Sequence, residues 1–249
     1  MGRPSAPTTA RVVSLVPSAT ESLLAWGVVP VACTRFCEQP SLPHVGGTKD
    51  PDVDAIVALG PDLVVLCEEE NRRPDAEALV AAGLDVHVLA IEAVDDVAPA
   101  LVGLAERLAL DPVALEAAGL TGRVEVGPLP AVAVRAFVPI WRRPWMALGP
   151  RTYGASLLAS VGVDVVAPDV EDRYPPVALD QVADLGAEVV LAPSEPYPFG
   201  PRHHGELAAV APVVPVDGQD LFWWGVRTPA ARRRLADALA AAGAVGPRR

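Results

Sequence analysis

"LGPDLVVLCEE" occupies residues 59–69 and "LGAEVVLAPSE" occupies residues 185–195, and the two align without a gap. Leu59-Gly60 meets Leu185-Gly186, Asp62 meets Glu188, and Glu69 meets Glu195. Upstream, at the same offset, Asp54 and Ile56 meet Asp180 and Val182. Each copy places a glycine helix stop before an apolar run of strand length, which then gives way to acidic residues. A further echo, "ESLLAWG" against "ASLLASVG", lies at a different offset. An ordered series of this kind points to two similar lobes.

Around these copies, short Val/Leu runs alternate with Ala/Leu helices, the pattern of an α/β fold. "RVVSLVPSATESLLAWG" predicts a strand over Val12–Val16, then a helix opened by a Ser18-x-x-Glu21 capping box and closed by Gly27. "DPDVDAIVALGPDLVVL" predicts a second helix with Asp50 as N-cap and Pro51 at its first position. A helix over 74–82 and a strand over 85–90 follow. Residues 94–123 read as mostly helical, broken at Leu110–Pro112, and a strand is expected over Ala131–Val138. The last helix starts at Thr228-Pro229 and stops near Gly243. The expected fold class is α/β, with two similar α/β lobes joined by a helical connector and a ligand cleft between them. Its divisions are a disordered tail at 1–10, a lobe over 11–93, a connector over 94–127, a lobe over 128–243, and a tail at 244–249.

Bulk properties remove several classes of function. No apolar run reaches the roughly 18–20 residues that cross a bilayer. A net charge of −11 argues against nucleic acid, whose backbone needs a basic face. "MGRPSAPTTA" holds one arginine and no apolar stretch, so the chain reads as cytoplasmic as written, and as extracytoplasmic if processed or truncated. Cys33, Cys37 and Cys67 lack zinc-ribbon spacing and read as buried thiols, a soft-metal contact staying open at Cys37 and Cys67. His203-His204 reads as a solvent-facing loop pair. G-x-S-x-G, H-E-x-x-H and a post-strand G-x-G-x-x-G are all missing. Glu68–Glu70 with Glu195 would need a nucleophile or metal that nothing supplies, so no catalytic residue, catalytic cofactor or protein-held metal is assigned, and the chain reads as a non-enzyme.

The aromatic residues carry the positive signal. Of twelve, Trp26 and Phe137 sit within predicted elements and Tyr153 opens a helix. The other nine lie in loops: Phe36, Trp141, Trp145, Tyr174, Tyr197, Phe199, Phe222, Trp223 and Trp224. Most of these loops follow a strand, where ligands of α/β sheets gather. Rings collected there suit a broad, flat, largely apolar ligand; the competing reading is that they pack loops onto the lobes. Arg142, Arg173 and Arg227 accompany them, and a guanidinium binds carboxylate in a planar fork. Gly46 and Gly47 in "VGGTK" let backbone approach a neighbour closely. "CEEENRR" (67–73) remains open at this point between a solvated turn, a cleft rim and a partner surface.

Taken in order, "RVVSLVPSATESLLAWG", "TRFCEQP", "VGGTKDPDVDAIVALGPDLVVLCEEEN", "WRRPWMALGPRTYGASLLASVG", "DRYPPVALDQV", "PSEPYPF" and "WWGVRTP" resemble the cobalamin-binding members of the class III periplasmic binding proteins, or helical-backbone metal receptors. The resemblance implies two α/β lobes, a rigid interlobe helix, and reversible binding of a cobalamin-like corrinoid in the cleft. It places Phe36, Trp145, Tyr174 and the Trp223–Trp224 region at the ligand. It also implies an acidic knob on each lobe, Glu68–Glu70 and Glu195, docking on an ABC permease. The expected ligand-binding set is Phe36, Cys37, Gly46, Gly47, Glu68, Trp141, Arg142, Trp145, Arg173, Tyr174, Tyr197, Trp223, Trp224 and Arg227. The expected docking set is Glu69, Glu70 and Glu195, on a monomer. The alternatives are a ferric siderophore or haem carrier, and a cytosolic enzyme acting on a corrinoid or metal chelate through Glu68–Glu70 or Cys37.

Overall fold

A computed structural model describes residues 10–125 and 134–243. They divide into two compact units. One holds the chain up to Ile91 with Asp95–Arg123 and Trp224–Arg227; the other holds Glu92–Val94, Val124–Trp223 and the chain from Thr228.

In the first unit, β1 (Val12–Ser14), β2 (Ala32–Cys33), β3 (Leu63–Cys67) and β4 (Val86–Leu89) form a wholly parallel sheet in the order β2-β1-β3-β4. Parallel neighbours need a crossover, which α1 (Pro17–Ala25), α2 (Val53–Leu59) and α3 (Arg73–Ala81) supply. All five residues of β3 are buried, as expected of an inner parallel strand covered on both faces. Val13, Leu15, Ile56, Val64, Leu66 and Leu79 form the core. The helices α4 (Val94–Arg107) and α5 (Pro112–Ala117) lie in the expected connector stretch. From Asp95 onward this stretch belongs to the first unit, with Leu101, Leu104 and Leu108 buried at helical spacing. The expected break falls where Ala109 takes a left-handed conformation, φ 52°, and Asp111 caps α5. Trp26 Nε1 donates to Leu120 O at 2.8 Å, fastening the end of α1 to the segment after α5.

The second unit repeats the plan. Its main strands are β5 (Val134–Phe137), β8 (Val163–Val165), β9 (Val189–Pro193) and β10 (Val213–Val216), all parallel, in the order β10-β9-β5-β8. In chain order each sheet therefore runs second, first, third, fourth. The duplicated stretches are the third strands, β3 and β9, and two similar α/β units are what the repeat predicts. Between β5 and β8 lie the antiparallel pair β6 (Pro139–Trp141) and β7 (Met146–Ala147) and the helix α6 (Tyr153–Ala159). The helices α7 (Leu179–Asp184), α8 (Pro201–Leu207), α9 (Gly218–Phe222) and α10 (Thr228–Ala241) complete the unit. The first residues of the expected strand at Ala131, and the expected tails at 1–9 and 244–249, fall outside the described residues.

Two helix starts differ from expectation. α1 begins at Pro17, whose fixed φ and missing N–H suit the first helical position, so Ser18 lies inside the first turn and caps nothing. Glu21 instead takes Arg227. α2 is capped by Asp52, which accepts the Ala55 N–H at 3.0 Å. Pro51 stays outside it, bridged to Gly46, and Asp50 pairs with Arg35.

The turn after β3 is organised from its inner side by Asn71, which is 7% exposed. Its Oδ1 accepts the Cys67 N–H at 2.8 Å, and its Nδ2 donates to Leu15 O at 3.2 Å and Thr48 O at 2.9 Å. One carboxamide thus ties the ends of β1 and β3 to the 46–48 loop. Lys49 Nζ donates to Glu69 O at 2.5 Å and fixes the outer side. Asn71→Ala should destabilise the protein by roughly 2–4 kcal/mol, because one donor and two acceptors lose their partner. Urea unfolding measures this; a loss below about 0.5 kcal/mol, the range of ordinary surface changes, would show that the bridge carries no stability.

Candidate functional site

The hairpin tip between β6 and β7 and the loop between β9 and α8 build an aromatic cluster on the second unit. Trp141 meets Tyr197 edge-to-face, with centroids 5.5 Å apart. Trp145 lies nearly parallel to Phe199 at 5.8 Å and 13°. Tyr197 and Phe199 are 4.8 Å apart, and His203 abuts them at 5.4 and 5.7 Å. Phe199 and His203 are buried, Trp145 and Tyr197 half-buried, and Trp141 is 45% exposed, so the cluster grades from a floor to an open face. Arg142 stands 5.7 Å from the Trp145 ring centroid and binds Glu206 through Nε at 3.1 Å and Nη2 at 2.5 Å. That guanidinium holds the Glu206 carboxyl below the usual carboxylate range.

His203 is not the solvent-facing residue expected. It is buried and caps α8, its Nδ1 accepting the Gly200 N–H at 3.2 Å. Burial first, then Arg202 and Arg142, lower its pKa and favour the neutral ring that this acceptor role needs. The sequence reading missed this residue, Glu206 and the anchoring role of Phe199. Alternation in "YPF" (197–199) was the available signal for Phe199; nothing local pointed to Glu206, which lies 64 positions from Arg142.

On the first unit, Phe36 is 50% exposed on the 3-10 turn Arg35–Cys37, with the Arg35 guanidinium 4.7 Å from its centroid. Arg35 N donates to Gly46 O at 3.0 Å, and Arg35 Nη2 reaches both Asp50 carboxylate oxygens at 3.1 Å, so the turns bearing Phe36 and Gly46-Gly47 form one piece. Gly46 has φ +86°, and a Cβ there would come within 2.4 Å of Asp50 O; the neighbour this glycine approaches is its own loop. Cys37, the next residue, is buried, with its Sγ 3.2 Å from the hydroxyls of Thr20 and Thr34. Glu68 is exposed beside a cavity of about 440 Å³ lined by Leu66, Ala76 and Val88 and by Arg72 and Arg73. Glu69 and Glu195 stand two residues past the ends of β3 and β9, in equivalent places. A Cβ on Gly218 would come within 2.5 Å of Glu195 N, so that glycine seats the Glu195 turn.

The remaining expected residues have the following places. Trp224 is 3% exposed and packs in the first unit, where Arg227 makes a two-point pair with Glu21 at 2.6 and 2.9 Å. Trp223 is half-buried at the end of α9. Arg173 pairs with Glu92, and the Tyr174 N–H is held by Asp172 Oδ1 at 3.0 Å.

No family model and no curated protein matches this chain. Solved structures do. The periplasmic vitamin B12 binding protein BtuF of Vibrio cholerae matches with a TM-score of 0.70 at 19% identity, covering 96% of this chain and 99% of its own. A periplasmic haem-binding protein from Pseudomonas aeruginosa gives 0.74 at 20% identity, over 96% and 95%. The periplasmic haem-binding protein HutB of Vibrio cholerae gives 0.72 at 18%, over 92% and 98%. The chain has the fold of these periplasmic binding proteins. They are named for what they bind. The finding also corrects the expectation of a cytoplasmic protein, since these relatives in fold are periplasmic.

The graded burial of the cluster sets a test. Phe199→Ala should cost about 3–5 kcal/mol of folding stability, as for a buried ring, and Trp141→Ala much less. Chemical denaturation compares them; equal losses would make Trp141 a core ring rather than part of an open face.

Proposed function

We propose that this chain binds a bulky metal chelate without converting it, outside the cytoplasm, and passes it to an ABC-type permease. The observation that carries the reading is the open aromatic face of the second unit, Trp141 and Tyr197 over a Trp145–Phe199 floor. Each ring that stacks on a guest buries roughly 150–250 Å². Phe36, exposed on the first unit, is a further ring of the same kind. The names of the proteins that share the fold, for vitamin B12 and haem, support a planar chelate as guest.

Among such guests we favour a cobalamin-like corrinoid. Arg35, Arg142, Arg173 and Arg227 each face a carboxylate of this chain: Asp50, Glu206, Glu92 and Glu21. At those four arginines a haem propionate or an anionic siderophore would have to compete with the carboxylate; the exposed Arg143 is the cation nearest the rings without a carboxylate bond among the described residues. The amide-rimmed corrin edge needs only hydrogen bonds.

Titration calorimetry with cobalamin, cobinamide, haem and a ferric siderophore tests the proposal. Heat and a spectral change with the corrinoids are expected; none with any of the four would end it. Trp141→Ala and Trp145→Ala should each weaken corrinoid binding by roughly 1–3 kcal/mol. Unchanged affinity would make these rings loop packing. Glu69→Gln and Glu195→Gln should leave the calorimetric affinity unchanged, because we assign them with Glu70 to permease docking; a loss would move them to the ligand.

A further inference from the structure

The tip of the β6–β7 hairpin, residues 142–145, holds one charged side chain that its own contacts do not explain. Arg142 is tied to Glu206. Trp145 is tied twice, its ring against Phe199 and its carbonyl accepting the Val177 N–H at 2.9 Å. Between these two fixed residues Arg143 is exposed, and its side chain makes no hydrogen bond or ion pair among the described residues. Its charge nevertheless reaches the site: Arg142 first, and Arg143 after it, hold the Glu206 carboxyl below the usual carboxylate range. Arg143 also has φ 74°, in the left-handed region that glycine enters freely and a long side chain does not. Strain of this kind collects at ligand clamps. Were the turn shaped for stability alone, glycine would serve it better. Arg202, a second cation beside the rings, turns its Nε to His203 Nε2 at 3.2 Å.

We propose that Arg143 is a specificity residue that pairs with the phosphodiester of a complete corrinoid, so that the protein prefers a corrinoid that keeps its nucleotide over one that lacks it. The inference rests on the corrinoid reading and adds which corrinoid. Such a guest has a broad apolar body and an amide rim, and its one acid is the phosphodiester, hung from the rim by a short arm. Stacked on Trp141 and Tyr197, the guest brings its rim to the hairpin on which Arg143 lies two residues past Trp141. A guanidinium meets phosphate through parallel N–H groups, a charge-assisted pair. Arg143 forms that pair without giving up a carboxylate, whereas at Arg142 the phosphate would have to displace Glu206. The field of the whole chain does not oppose entry. The phosphate is balanced inside the guest by the charge of its cobalt centre, so the net charge of −11 acts on a neutral molecule.

The full chain is titrated calorimetrically with cyanocobalamin, which has the phosphodiester, and with dicyanocobinamide, which lacks it. Cyanocobalamin should bind more tightly. Arg143→Gln should shrink the ratio of the two dissociation constants by roughly tenfold, the size of a hydrogen bond to a charged group. Contacts of the nucleotide base enter the ratio before and after the change and cancel. Arg143→Gly should shrink it as far, and glycine fits the backbone there, so this variant removes the guanidinium without adding strain. On the wild type, added salt should weaken cyanocobalamin relative to dicyanocobinamide, because a pair at an exposed arginine is screened. A ratio unchanged in both variants, or an equal response of the two ligands to salt, would overturn the proposal and leave the corrinoid reading standing. Binding of neither ligand would end that reading, and this inference with it.

Discussion

Parallel pairing throughout both four-stranded sheets is the constraint on which the rest of the molecule depends. A strand followed by a parallel neighbour must be re-entered from the far end, so every carboxyl end opens onto a loop at one edge of its sheet. The loops at those ends are the Arg35–Cys37 turn after β2, Glu68–Asn71 after β3, the β6–β7 hairpin after β5, and 194–200 after β9. The exposed rings and the glutamates paired by the repeat lie on these loops. Because the strand order reverses at β1 and at β5, a gap is expected at the carboxyl ends there. In the first unit Asn71 fills it and satisfies three backbone groups. The offset that aligns Glu69 with Glu195 places Tyr197 opposite Asn71. One copy carries a carboxamide at this position and the other a ring, packed on Trp141, Phe199 and His203.

That comparison explains what could be read before any coordinates. The third strand of each unit and the likeness of the two units follow from local signals, an apolar run bounded by a glycine and an acidic break, and those signals occur twice; the strand orders carry no such signal. Helix starts were less legible, because Pro17 and Pro51 each admit two registers and the neighbours that choose between them are distant. Pro17 entered α1, whereas Pro51 was drawn out by Gly46. Most of the rings expected in loops lie there, but Trp141 ends β6 and Phe222 ends α9, and the grouping of the rings was not legible. Trp141 meets Tyr197, while Trp224 is buried; both read alike as loop tryptophans. Asn71 was hidden for a different reason. A run of three glutamates draws notice to charge, and the residue that shapes their turn is the neutral one beside them.

Charge decides what an aromatic face of this kind admits. The net charge of −11 places any anionic guest in a repulsive field before contact. At contact, Arg142, with its side chain 18% exposed, already holds Glu206, and Arg202 turns its Nε to His203, while Arg143 at the hairpin tip is exposed. Drawing Arg142 away would cost the two hydrogen bonds that it makes to the Glu206 carboxylate, whose side chain is 47% exposed and so partly screened. The arrangement therefore selects by exclusion as much as by attraction. A guest with a neutral rim and a broad flat body loses nothing to the field and keeps the full burial of its faces. One that brings carboxylates has to offset both penalties with the same rings.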